Sequence, residues 1–135
     1  MPNSISLKAG AYFTYAHCIT AKAIRAFAKL SGDRGSHHVE PDEQGRLMAH
    51  GLLTATLPTK LGGDLDFIGQ LMIFKFVRPV YAGDTLTCSG VVDCVEPTPK
   101  FIRAKFSFSI VNQRGKLVLK GSSSGVILKN KKLPV

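Results

Sequence analysis

From Ile102 to Ile110 the chain alternates cleanly. Ile102, Ala104, Phe106, Phe108 and Ile110 fall on one parity, and Arg103, Lys105, Ser107 and Ser109 on the other. That is the period of a strand with one face in the core and one in water. Near the start, Tyr12 to Thr20 is rich in aromatic and β-branched residues and predicts another strand. Ile24, Phe27, Ala28 and Ser31 follow at helical spacing, with Thr20 placed to cap the helix and Gly32 to stop it. Leu52, Leu53, Leu57 and Leu61 predict a second helix from His50 to about Leu61, apolar around most of its circumference and so buried along its length. Pro58 predicts a kink there or an end near Leu57, and Gly62-Gly63 a stop in any case.

Phe67 to Tyr81 is apolar on both parities over its middle, which predicts a long strand covered on both faces or lying at a subunit contact. Ala82-Gly83-Asp84 and Glu96-Pro97-Thr98-Pro99 mark turns on either side of a strand at Thr85–Val95. Asn112-Gln113-Arg114-Gly115 marks a hairpin into a last strand, Lys116–Leu128. In that strand Leu117, Leu119, Gly121, Ser123, Gly125 and Ile127 share a face, and its small residues would let a helix lie close. One strand, two helices and about four antiparallel strands make an α+β fold, an antiparallel sheet wrapped around a central helix. At 135 residues the expectation is one domain over 1–135. The two-sided apolar strand predicts that the monomer does not stand alone.

Composition narrows the function classes. The formal charge of +9 favours polyanionic partners. The cations are scattered, however, apart from the tail at Lys129–Lys132, and no zinc spacing or aromatic-basic interleaving accompanies them. Nucleic acid is therefore not the expected partner. No apolar run approaches the roughly 18 residues of a membrane span. The start MPNSISLKAG lacks the basic and apolar regions of a signal peptide. Cys18, Cys88 and Cys94 have neither metal-ligand spacing nor an even count, so no metal is expected and a reducing cytoplasm is the expected location.

Chemistry concentrates in Phe27–Leu53. A polar loop carries Asp33, Arg34, His37 and His38 between the two helices, and His50-Gly51 opens the second. An acid and an imidazole on one short loop, beside a glycine amide at a helix start, form a plausible acid/base site with an anion-stabilising donor. Singly each has a plainer reading: Asp33 as a turn residue, His38 as a surface histidine, Gly51 as a packing glycine. His37 is the blander of the two loop histidines. Tyr12, Tyr15 and Phe76 are expected in the core, His17 as an ordinary strand residue, and His50 as shaping the helix entrance rather than acting in catalysis.

The order of these pieces carries a likeness. Ser31-Gly32-Asp33, a histidine loop, His50-Gly51-Leu52-Leu53, the stretch FVRPVYAGDTLT and the Asn112–Gly115 hairpin together resemble the MaoC-like proteins, over about Tyr12 to Leu128. These are hot-dog-fold (R)-specific enoyl-CoA hydratases and 3-hydroxyacyl thioester dehydratases. The resemblance implies a hydro-lyase in which Asp33 and His38 are the catalytic pair and the Gly51 amide binds the thioester oxygen. It implies that Thr59 lies near a hydroxyl position on the central helix. It implies no cofactor, because the substrate is itself carried as a CoA or acyl-carrier-protein thioester. Those acidic carriers suit the basic surface, with Arg25, Arg34, Lys60, Arg78 and Lys100 as candidates for the tunnel mouth. Two departures stand out. Gly35-Ser36 replaces the Asn-Pro of the family's G-D-x-N-P-x-H loop, and the segment from His38 to His50 is short for the pocket wall it forms.

Two other functions fit the same fold. Hot-dog thioesterases usually carry an acidic residue on the central helix or its lead-in, and Gly51 to Leu61 has none. A non-catalytic acyl-thioester binder draws its support from Gly35-Ser36, which would loosen the loop.

Overall fold

The structure, a computed structural model, describes residues 7–129. Its elements run β1 (Tyr12–Cys18), α1 (Ala21–Ser31), α2 (Ser36–Val39), α3 (Gly51–Thr54), α4 (Thr56–Asp64), β2 (Phe67–Phe76), β3 (Thr85–Pro97), β4 (Phe101–Val111) and β5 (Leu117–Leu128). The strands form one antiparallel sheet in the order β1-β3-β4-β5-β2. Of the basic tail, all but Lys129 lies outside the described residues, as does most of the N-terminal decapeptide.

The alternation on β4 is realised as written: Ala104, Phe106, Phe108 and Ile110 are buried, and Arg103 and Lys105 face water. Beside it β3 contributes Leu86, Cys88 and Val92, and the helical segment contributes Ala55, Leu57 and Leu61 to the same core. Fully burying a side chain such as Phe106 is worth about 1.5–3 kcal/mol, so these central strands dominate the driving force. Helix α1 begins with the Thr20 hydroxyl accepting from the Ala23 amide at 3.0 Å and ends at Gly32, whose φ of 79° is left-handed. Ile24 and Ala28 point inward.

The central helix differs from expectation. It is two pieces interrupted at Ala55, three residues before Pro58. The break puts Pro58 in the first turn of α4, where a missing N–H goes unused because first-turn amides lack intrahelical partners. The Thr56 hydroxyl bonds the Leu53 carbonyl at 2.6 Å across the break. The helix also runs through Gly62-Gly63 to Asp64 rather than stopping, with Lys60 and Asp64 paired at 2.8 Å. Nor is it buried all round, because Leu52 is largely exposed.

The expected strand Phe67–Tyr81 ends at Phe76, short of Pro79, which has no N–H to give a ladder. Strand β2 forms one edge of the sheet, and within the chain its Ile68, Leu71, Met72, Ile73 and Phe76 are exposed rather than covered. The small residues of β5 serve this strand and not a helix. A methyl at Gly121 would overlap the Ile73 carbonyl oxygen, and one at Gly125 the Ile68 carbonyl oxygen. Tyr12 is likewise exposed rather than in the core, whereas Tyr15 packs against it.

Candidate functional site

A cleft of about 570 Å³ opens where the loop after α1, the start of α3 and the segment after β2 meet. Asp33, His37, His38, His50, Gly51, Phe76 and Arg78 are among the residues that line it. The loop expected after Gly32 is partly a helical turn, α2, and it is anchored at both ends. Asp33 receives the Gly35 amide on Oδ1 at 3.2 Å, and its own amide bonds the Ser31 hydroxyl at 3.0 Å. The His38 amide donates to the Gly35 carbonyl at 2.8 Å. A Cβ at Gly35 would lie 2.9 Å from His37 Cε1, so the glycine lets the His37 ring fold back over the loop.

His38 is buried, and its orientation is set by the backbone. The Met48 carbonyl accepts from Nδ1 at 2.7 Å. Because a carbonyl can only accept, Nδ1 carries a proton, and in the neutral form of the ring the lone pair is on Nε2. That Nε2 lies 3.7 Å from Asp33 Oδ2. With the ring neutral, two acceptors at this separation do not bond each other directly; a protic group between them would bond both. Asp33 is over half exposed on its side chain, so the carboxylate faces the open side of the cleft and the imidazole the closed side.

Met48 is held in turn. Residues 47–49 run antiparallel to 80–82, with Ala49 donating to the Val80 carbonyl at 2.7 Å and Ala82 to the Leu47 carbonyl at 2.9 Å. This delivers His50, 2 % exposed, to the start of α3. Its ring stacks on His38 with centroids 3.7 Å apart and planes 18° apart, and its Nε2 donates to the Asp33 carbonyl at 2.9 Å. The next amides, Gly51 and Leu52, have no hydrogen-bond partner among the described residues, and Gly51 is exposed to the cleft. Since α3 is a single turn, these free N–H groups rather than a long helix dipole supply the positive character there.

Asp33, His38 and His50 bring one potential ligand atom each within 4.8 Å of the others. Backbone carbonyls already hold His38 Nδ1 and His50 Nε2, which leaves His38 Nε2 and His50 Nδ1 as the ring nitrogens without a hydrogen bond to a carbonyl.

Of the other expected site residues, Thr59 lies away from the cleft. It borders a second, apolar cavity of about 300 Å³ walled by Phe67, Met72, Phe74, Phe106 and Phe108, and its hydroxyl bonds the Ala55 carbonyl at 3.4 Å. Arg34 is exposed and outside both linings. Among the five mouth candidates Arg78 lines the cleft, its Nη1 donating to the Leu117 carbonyl at 2.8 Å. Phe76, expected in the core, is half exposed on the cleft wall.

No family model matches the chain. It is 29% identical over 130 residues to an (R)-specific enoyl-CoA hydratase of Rhodospirillum rubrum, spanning 90% of this chain and 88% of that protein. Among solved structures it is similar to the (R)-hydratase from A. caviae involved in PHA biosynthesis, at TM-score 0.78 and 29% identity over 91% of this chain and 98% of that one. It also matches the unliganded R-hydratase PhaJ1 of Pseudomonas aeruginosa, at TM-score 0.77 and 26% identity over 96% and 91%. The chain is thus similar in sequence and in fold to (R)-specific hydratases of the MaoC-like kind. The sheet wrapped on its helix is accordingly the hot-dog fold.

The loop that carries Gly35-Ser36 is pinned by the Asp33 carboxylate, the α2 turn and two histidine–carbonyl bonds. His50 stands at the entrance to α3, and what the sequence did not display is its tie to the Asp33 loop. That tie runs to a backbone carbonyl 17 residues away, which carries no residue identity.

Proposed function

We propose that this protein is a hydro-lyase that interconverts 2-enoyl and (R)-3-hydroxyacyl thioesters, with Asp33 and His38 as its acid/base pair and the Gly51 amide as the oxyanion donor. The observation that carries the reading is the 3.7 Å gap between the Nε2 of buried His38 and the Asp33 carboxylate, beside an unpartnered amide at the head of α3. In hydration a water in that gap gives a proton to His38 Nε2 while its oxygen bonds carbon 3. The electron pair of the double bond moves toward the thioester carbonyl, where the Gly51 amide meets the developing oxyanion. The proton is returned to carbon 2. One O–H bond breaks, one C–O and one C–H bond form, and the reverse sequence is the dehydration. Asp33 orients the water and offsets the charge on the imidazolium. No cofactor takes part.

The basic surface and Arg78 in the cleft suit a CoA or acyl-carrier-protein thioester, and the apolar cavity beside Thr59 suits the acyl chain. The exposed apolar edge of β2 supports a homodimer, since an unprotected edge strand readily pairs. No helix among the described residues is long and apolar enough to cross a membrane.

The test is a series of 2-enoyl-CoAs, from crotonyl upward, with an enoyl-acyl-carrier protein in parallel. Loss of the conjugated absorbance and an (R)-3-hydroxyacyl product are expected. Release of free thiol from saturated acyl-CoA without change at a double bond would instead make the protein a thioesterase. Saturable binding without turnover would make it a binder.

A further inference from the structure

His50 adjoins Asp33, His38 and Gly51 together. Its Nε2–H holds the Asp33 carbonyl at 2.9 Å, and its ring lies 3.7 Å from that of His38, which His37 also contacts at 3.8 Å. Its own carbonyl accepts from the amides of Leu53 and Thr54 at 3.1 and 3.2 Å, which closes the turn that begins with Gly51. Phe27 of α1 meets the same ring edge-on at 4.8 Å. The Nδ1 of this buried ring has no hydrogen-bond partner. An apolar ring would fill the space without leaving a buried acceptor unpaired, so packing alone does not account for an imidazole here. What an apolar ring would lack is the Nε2–H donated to Asp33.

We propose that His50 is a positioning residue that fixes Asp33, His38 and Gly51 relative to one another through one side chain, without itself touching the reacting atoms. The inference rests on the acid/base reading above for its catalytic consequence, and on geometry alone for its structural one. The loop bearing Asp33 and the turn bearing Gly51 come from separate parts of the chain, and His50 joins them by a hydrogen bond and stacks on the base between them. Removing the donor frees the Asp33 backbone while leaving the stack in place.

Two variants separate these contributions: His50→Phe keeps a ring and loses the donor, and His50→Gln keeps a donor and loses the ring. Both are followed by hydrogen exchange of the segment 31–40 and by kcat and KM on an enoyl-CoA. In His50→Phe, exchange over 33–38 is expected to rise about tenfold with β3 and β4 unchanged. Its kcat is expected to fall about 100-fold, the cost of roughly 1 Å of misplacement, with KM altered by no more than about threefold. His50→Gln should recover about tenfold of that kcat. If His50→Phe does not fold, the exchange and kcat of the Gln variant decide. Unchanged exchange over 33–38 would overturn the proposal, as would a rise in KM with kcat intact, which would make His50 a substrate contact. Loosening of 33–38 in a protein that turns over no enoyl thioester would leave the positioning role standing and remove the hydratase reading. Turnover without loosening would do the reverse.

Discussion

Gly51→Ala separates a donor from a packing glycine. A Cβ at Gly51 would lie 2.8 Å from Phe76 Cε1, 3.0 Å from Cδ1 and 3.1 Å from Cζ. Ordinary carbon contacts need about 3.5–4.0 Å, so the ring must withdraw by roughly 1 Å. It can do so cheaply, since Phe76 is 51 % exposed on the cleft wall. Alanine in a helical turn gains up to about 1 kcal/mol over glycine, which offsets the displacement. Stability should therefore change by less than about 1 kcal/mol, a Tm shift within about 4 °C. The amide survives the substitution, but the new methyl and the displaced ring intrude where the acyl carbonyl must approach. A misplacement near 1 Å costs about 100-fold in kcat, roughly 2.7 kcal/mol of transition-state stabilisation. The assay is kcat on an enoyl-CoA alongside a thermal melt. A well-folded Gly51→Ala with kcat within about threefold of wild type would refute the donor assignment. A large fall in Tm would make Gly51 a packing glycine.

Other consequences can be checked directly. Gly125→Ala puts a methyl into the Ile68 carbonyl of the paired strand, where no side chain can yield. It should cost at least about 2 kcal/mol and lower Tm by roughly 6–10 °C, and an unchanged melt would mean that β2 and β5 are not so closely apposed. Burial pushes the Cys88 thiol up to about 12, so below that pH it stays protonated. An aromatic disulfide reagent at pH 8 should titrate Cys18 and Cys94 rapidly and reach Cys88 only on unfolding; three fast thiols would contradict this. Ile73→Lys places a charge on the exposed apolar edge of β2 and should shift sedimentation toward the monomer. An unmoved dimer would place the interface elsewhere.

Where a residue's role depended on neighbours within a few positions, the sequence displayed it. The β4 alternation, the Thr20 cap, the Gly32 stop and the Asn112–Gly115 hairpin all stand as read, with Gly115 at φ 72°. The proximity of Asp33 and His38 was legible because they share one loop. What escaped depends on long-range backbone groups, which carry no residue identity. Those groups are the Met48 carbonyl that orients His38, the Asp33 carbonyl that holds His50, and the Ile68 and Ile73 carbonyls that require glycine on β5. The break at Ala55 escaped for a different reason. Proline disrupts a helix at the position where a hydrogen bond would have been, and the chain chose to restart early enough to make Pro58 a first-turn residue.

The most direct test of the acid/base pair is hydration of crotonyl-CoA by wild type, Asp33→Asn, His38→Gln and the double variant. Asp33→Asn keeps an acceptor for the Gly35 amide and should leave the fold intact while removing the charge that faces His38 Nε2. Wild type should consume the conjugated absorbance, and each single variant should lose about 10²–10⁴-fold in kcat. The double variant should lose little more than the worse single, because the two groups act on one water as a unit. Full activity in both single variants, with melts unchanged, would contradict the account.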